Sequence, residues 1–164
     1  MNQALENLAT EIGLADPAHE RCRLAFAHAC ALRVEHLLEA AAVVECLGKL
    51  GAYLRGEIDH LVLQEVQRLA DQLANQHPGS RSIDGCGHAA VSASYAVAHA
   101  VNGRALQAAS YAAYATVYAG GGYAAVAQPE AFEPEFAWQL AALRRQGLIA
   151  AHAATPPAAD RPAA

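Results

Sequence analysis

The chain is expected to be all-α, a compact antiparallel helical bundle or two-layer helical array of about six to seven helices. Three observations predict this. Apolar residues recur at helical spacing nearly throughout, and no segment alternates for long as a strand would. Hydrophobic residues make up 54% of the 164-residue chain and charged residues 16%. Much of the apolar share is alanine, which favours helix and lets helices approach closely. The clearest breaks, "HPGSRS" (77–82), Asn102-Gly103 and "GGG" (120–122), fall between periodic segments. The length fits one domain, able to bury roughly 70% of its unfolded surface. A single helical domain is therefore expected over 1–150, with the Ala/Pro-rich end, 151–164, as a disordered tail.

Taken in order, a first helix is expected over about 3–13, ending near Gly13. The second opens with Asp16 as cap and Pro17 in the position where a helix best tolerates proline. At 100° per residue, Cys22, Phe26, Cys30, Arg33 and Leu37 share one face, with Arg21, His28, Glu35 and Glu39 opposite. That pattern predicts an amphipathic helix with a solvated charged side. A third helix, about 41–55, carries Val43, Leu47, Leu50 and Leu54, and Gly56 breaks it. A fourth, about 58–76, is expected to bury Val62, Val66, Leu69 and Leu73 and to expose Glu65, Arg68 and Asp71. Two helices, about 85–101 and 104–119, turn at Asn102-Gly103, and so short a connection makes them antiparallel neighbours. In the last helix Glu133 lies near the cap and Pro134 in the first turn. Arg144 and Arg145 fall in its last turn and Gly147 is its stop, an order that suits the helix dipole.

The net charge of −5 and a sequence pI near 5.9 argue against a phosphate-tracking surface, so no nucleic-acid partner is expected. No apolar run reaches the ~18 residues of a membrane span. The start lacks a basic stretch followed by an apolar block, so no secretory signal is expected and a cytoplasmic location is. The cysteines, Cys22, Cys30, Cys46 and Cys86, form no CxxC pair. They are expected as free thiols in a reducing compartment, those at 22, 30 and 46 as small core residues.

The residues with the most chemistry lie in the Ala-rich hairpin. His88, Ser92, Tyr95 and His99 are spaced 4, 3 and 4, which makes one stripe on a helix. Gln107, Tyr111, Tyr114 and Tyr118 repeat that spacing on the next. Two polar-aromatic ridges on antiparallel alanine bodies suit a partner- or ligand-binding surface, because Tyr and His offer both contact area and hydrogen bonds. The same letters also suit side chains that fill the gaps between slim helices with their polar tips bonded. A metal site is not expected. His88 and His99 lie about 16 Å apart along a helix, and Cys86 points about 200° away from His88. "DGCGH" (84–88) has the letters of a cysteine nucleophile beside histidine at a helix N-terminus, but Asp84 as a cap explains it more simply. Neither catalytic residues nor a cofactor are expected. Trp138 and Phe136 are expected as core anchors, with a partner contact as the minor use of Trp138.

Three blocks resemble a family of Ala-rich helical bacterial immunity proteins, the Imm-5-like group. "LAFAHACALRVEHLLE" (24–39) is similar to the family's early helix through Cys30 and Arg33. "GHAAVSASYAVAHAVNGRALQAASYAAYA" (87–115) is similar to its Ala-rich hairpin through His99, Ala105, Leu106 and Tyr111. "FAWQLAAL" (136–143) is similar to its closing helix through Trp138 and Gln139. The hairpin turn is one residue longer than the family pattern, and 56–83 departs from it in detail. The resemblance implies an antitoxin-like protein that binds and blocks a cognate protein toxin by masking it, with no catalytic residues to carry over. The acidic balance favours a basic partner, with Glu35, Glu39 and Asp71 as a second contact surface. Two other readings stand beside it. One is a small-ligand protein or enzyme with a His/Tyr-lined pocket between the hairpin helices. The other is a structural module that forms homo-oligomers through its alanine faces.

Overall fold

The computed structural model describes residues 2–79 and 86–154. Within them lie seven α-helices and no strand: α1 (Gln3–Glu11), α2 (Glu20–Leu32), α3 (Ala41–Arg55), α4 (His60–Asn75), α5 (Cys86–Val101), α6 (Ala105–Gly121) and α7 (Glu133–Ala154). Short 3₁₀ turns at Pro17–His19, Glu35–Leu37, Tyr123–Ala127 and Pro129–Phe132 link them. The all-α packed architecture is as the periodicity predicts.

Caps account for several boundaries. Asn2 accepts from the Leu5 amide at the start of α1, and Asp59 does the same for Val62 at the start of α4. Asp16 caps as expected, but it caps the 3₁₀ turn before α2 rather than α2 itself. Gly56 ends α3 with φ +78°, and the Glu57 amide reaches back to the Ala52 carbonyl. Gly103 turns the α5–α6 hairpin in the same way, with φ +68° and the Arg104 amide on His99 O. A side chain at either position would strain the left-handed backbone.

The α5–α6 hairpin is the most extensive helix pair, and it packs on α2, which also touches α3 and α7. Its interior is alanine: Ala93, Ala96 and Ala100 of α5 and Ala108, Ala109 and Ala112 of α6 are fully buried. Small side chains let the two axes close together, and larger groups from α2, α3 and α4 fill the outer core. Phe26, Leu47, Leu50 and Leu63 are among its largest wholly buried members. Phe26 alone contributes about 2–3 kcal/mol by leaving water.

Four expectations need correction. First, α2 buries a wider arc than its stripe predicts and ends sooner. Cys22, Leu24, Phe26, Ala27, Cys30 and Ala31 are all buried, His28 is half-buried, and the helix stops at Leu32 before Arg33. It touches α3, α5, α6 and α7, which widens its buried arc, while Arg21 and Leu32 stay exposed and Ala25 and Ala29 are half-buried. Second, α4 turns Leu63, Val66, Ala70 and Ala74 inward, while Val62 and Leu69 are 36% and 43% exposed. The face that meets α3 and the slim α5 holds alanines, and the larger Leu69 sits on its flank. Third, Gly147 does not stop α7, which continues to Ala154 and so includes 151–154 of the expected tail. A Cβ there would meet only Ile12, just after α1, at 3.8 Å, and glycine inside a helix costs only about 1 kcal/mol. Fourth, Arg144 and Arg145 are therefore mid-helix. The remainder of the tail, 155–164, and the proposed cap Asp84 lie outside the described residues.

Candidate binding surface

The hairpin brings the two sequence stripes together as two separate aromatic groups. Near the turn, Tyr111 of α6 stacks on both Tyr95 and His99 of α5, with ring centroids 5.2 and 5.0 Å apart. The Tyr95 hydroxyl donates to Asn75 Oδ1 of α4 at 3.3 Å. Arg104 pairs with Asp71 of α4 at 2.6 Å beside this group. His99 Nδ1 is buried without a partner. Burial holds the imidazole below its ordinary pKa, Arg104 adds to the depression, and Asp71 partly offsets it. These rings knit α4 to the hairpin, so this half of the ridge packs.

At the far end, His88 stacks on Tyr118 at 5.2 Å and meets Tyr123 at 5.1 Å. Tyr114 contacts Tyr118 and sets its edge against Phe132, 5.1 Å between centroids, and Phe132 touches Phe136. Tyr114 and Tyr123 are 41% and 57% exposed. The 3₁₀ turns after α6 thus fold back to extend the ridge into a broad, part-exposed aromatic surface. Burial raises the Tyr118 hydroxyl above its usual pKa, and the neighbouring Tyr123 and Tyr114 add to it. Ser92 is buried and Gln107 exposed, and neither joins an aromatic contact. Tyr123, Phe132 and Phe136 were not among the expected site residues. Their place depends on the fold-back after "GGG", which no helical spacing encodes.

Behind this surface lies a pocket of about 280 Å³ between α1, α6 and α7. Tyr114, Phe132 and Phe136 form its aromatic wall, and Leu106, Ser110 and Gln139 also line it. Gln139 is 1% exposed. Its Nε2 donates to Ala109 O at 2.8 Å, while its Oε1 is buried with no donor.

On the α2 side of α7 sits an ion pair with one buried member. Arg33 reaches Glu135 with Nε, 2.9 Å from Oε2, and with Nη2, 2.8 Å from the same oxygen. Its guanidinium lies 4.2 Å over the Trp138 ring. Glu135 is 2% exposed, and Gln139 Nε2 approaches it at 3.4 Å. Cys30 lies beneath, its thiol pushed well above the usual range by burial and then by the Glu135 charge. Such a thiol is a core group, not a nucleophile. Cys22 and Cys46 are likewise buried with raised pKa values. Trp138 is half-buried under Arg33 and anchors this pair. Of the acidic second surface, Asp71 is already paired with Arg104, whereas Glu35 and Glu39 are exposed. No cluster of three metal-ligating side chains occurs among the described residues.

Comparison of the chain with protein-family models, with curated proteins and with solved structures finds no match. No described helix is long and apolar enough to cross a membrane.

Proposed function

We propose that the chain is a binding protein of the immunity type, which occludes a cognate protein toxin through the aromatic surface around Tyr114, Tyr118 and Tyr123. One observation carries the proposal. Tyr114 and Tyr123 stay about half exposed while their rings are held by His88, Tyr118 and Phe132. Rigid, part-exposed tyrosines lose little entropy on binding and are enriched at protein interfaces. Glu130 and Glu133, both exposed and on either side of Phe132 in the chain, together with the net charge of −5, favour a basic partner. The mechanism is masking: the surface covers the toxin, and no bond is made or broken. Of the expected ridge, Tyr114, Tyr118 and His88 belong to this surface, whereas Tyr95, His99 and Tyr111 support it from the α4 side. The test is co-expression. A product encoded beside this chain's gene should arrest host growth, and this chain should restore it. If that product is harmless, or stays lethal with this chain present, the proposal fails.

A further inference from the structure

We propose that the pocket between α1, α6 and α7 binds a small organic cation: a protonated amidine, guanidine or amine on a flat apolar body. Size and walls set the body. At about 280 Å³ the pocket is nearly twice the ~150 Å³ cavity that accommodates a single benzene, and it sits at the lower edge of small-molecule sites. Leu5, Ala113, Phe132 and Gln139 of its lining are almost wholly buried and serve as packing. The lining that keeps accessible surface, and so can touch a guest, includes Glu6, Leu106, Ser110, Tyr114, Val126 and Phe136.

The charge follows from what the lining holds and lacks. Glu6 is its one charged side chain, and no lysine, arginine or histidine lines it. Glu6 is half-buried and makes no ion pair among the described residues. Its one side-chain hydrogen bond among them comes from Gln3 Nε2, at a long 3.4 Å. A bound cation supplies the missing partner, and the pair gains more in a pocket than on an open surface because less water screens it. The rings add to the same preference, since aromatic faces such as those of Tyr114 and Phe136 attract a cation. Outside the pocket the exposed Glu130 follows the lining Pro129, and the net charge is −5, so the surrounding field has the same sign. A neutral guest of the same shape forgoes these terms, and an aromatic carboxylate is repelled.

The site stands apart from the toxin-binding proposal, because the guest is titrated into the full chain alone. Benzamidine is the probe. Benzamide, neutral and nearly the same shape, and benzoate, an anion, are its comparisons. Binding is followed at pH 7 by the backbone NMR signals of Ser110, Tyr114 and Phe136. Benzamidine is expected to shift them to saturation, benzamide to bind about tenfold more weakly, and benzoate to leave them unmoved. Glu6→Gln keeps the shape of the wall and removes its charge. It should weaken benzamidine about tenfold and leave benzamide unchanged, a split that a merely structural role for Glu6 would not produce. No saturable shift at these residues with benzamidine overturns the proposal. So does equal affinity for benzamidine and benzamide, a comparison that needs no variant, or undiminished benzamidine binding by Glu6→Gln.

Discussion

Removing Arg33 should destabilise the chain far more than removing its partner Glu135. The two side chains share one ion pair but not one environment: Arg33 is 38% exposed and Glu135 is 2% exposed. In Arg33→Met the methionine keeps apolar contact with Trp138, but Glu135 is left as a buried carboxylate. Its remaining side-chain donor is then Gln139 Nε2, at 3.4 Å. Breaking a buried pair from this side costs about 3 kcal/mol, the lower end of the usual range because the arginine end is wet. In Glu135→Gln the charge left over is on Arg33, which can rehydrate, so the loss is about 1 kcal/mol. For a chain of this size those values correspond to a melting-temperature drop of about 6–12 °C for Arg33→Met against about 2–4 °C for Glu135→Gln. Thermal melts of both single variants and the double variant at pH 7 give the cycle. The double variant should be more stable than Arg33→Met alone, with a coupling of about 2 kcal/mol. Equal melting temperatures for the two single variants, or additive losses in the double, would refute the reasoning.

Other consequences can be checked with the same melts. His28 and His99 both have depressed pKa values, chiefly through burial, with Arg55 adding to it at His28 and Arg104 at His99; Glu35 and Asp71, respectively, act in the opposite sense. The unfolded chain therefore binds more protons than the fold as pH drops through 6.5, and stability should fall below that value and level off beneath the folded pKa values. Melts from pH 7.5 to 5 should show this, and His28→Gln/His99→Gln should flatten the slope. The adjacent glycines at the end of α6 should respond in opposite directions. Gly120 faces open space, so Gly120→Ala should add about 0.5–1 kcal/mol, whereas Gly121→Ala puts a Cβ 2.5 Å from that of Ala125 and should lower the melting temperature. Cys30, wholly buried with a raised pKa, should react with a thiol reagent at pH 7 only after urea unfolds the chain, in a Cys22→Ala/Cys46→Ala/Cys86→Ser background.

Local rules made much of the fold legible. Gly56 and Asn102-Gly103 act where short-range geometry decides, and α3 occupies the span its periodicity predicts. The errors arise where burial is decided by neighbours. Hydropathy singled out Val62 and Leu69 on α4, but alanines meet the slim α5, so Leu63 and Ala70 point inward. Helical spacing places Arg33 on the apolar face of the second helix, but α2 stops at Leu32, and its contacts with four other helices also bury Leu24, Ala27 and Ala31 outside that stripe. Glycine's low helix propensity predicts a stop at Gly147, but a helix packed along α1 can carry one glycine. For the site, helical spacing found both stripes but could not divide them. Tyr95, His99 and Tyr111 lock α4 in place, while Tyr114 and Tyr118 are joined by Tyr123 and Phe132 from turns without a period. The Arg33–Glu135 pair spans 102 residues, and no local pattern links its members.

The central claim is that the exposed tyrosine surface is where a protein partner docks. Under the proposed toxin-binding role, its most direct test is the affinity of the product encoded beside this chain's gene for this chain and for Tyr114→Ala/Tyr123→Ala, measured by calorimetry beside a thermal melt. Because both side chains are substantially exposed, the double variant should keep its melting temperature within about 3 °C. Its affinity should fall by about 100-fold, as loss of two central tyrosine contacts would produce. A variant that folds and binds as tightly as the parent would place the partner elsewhere and contradict the account.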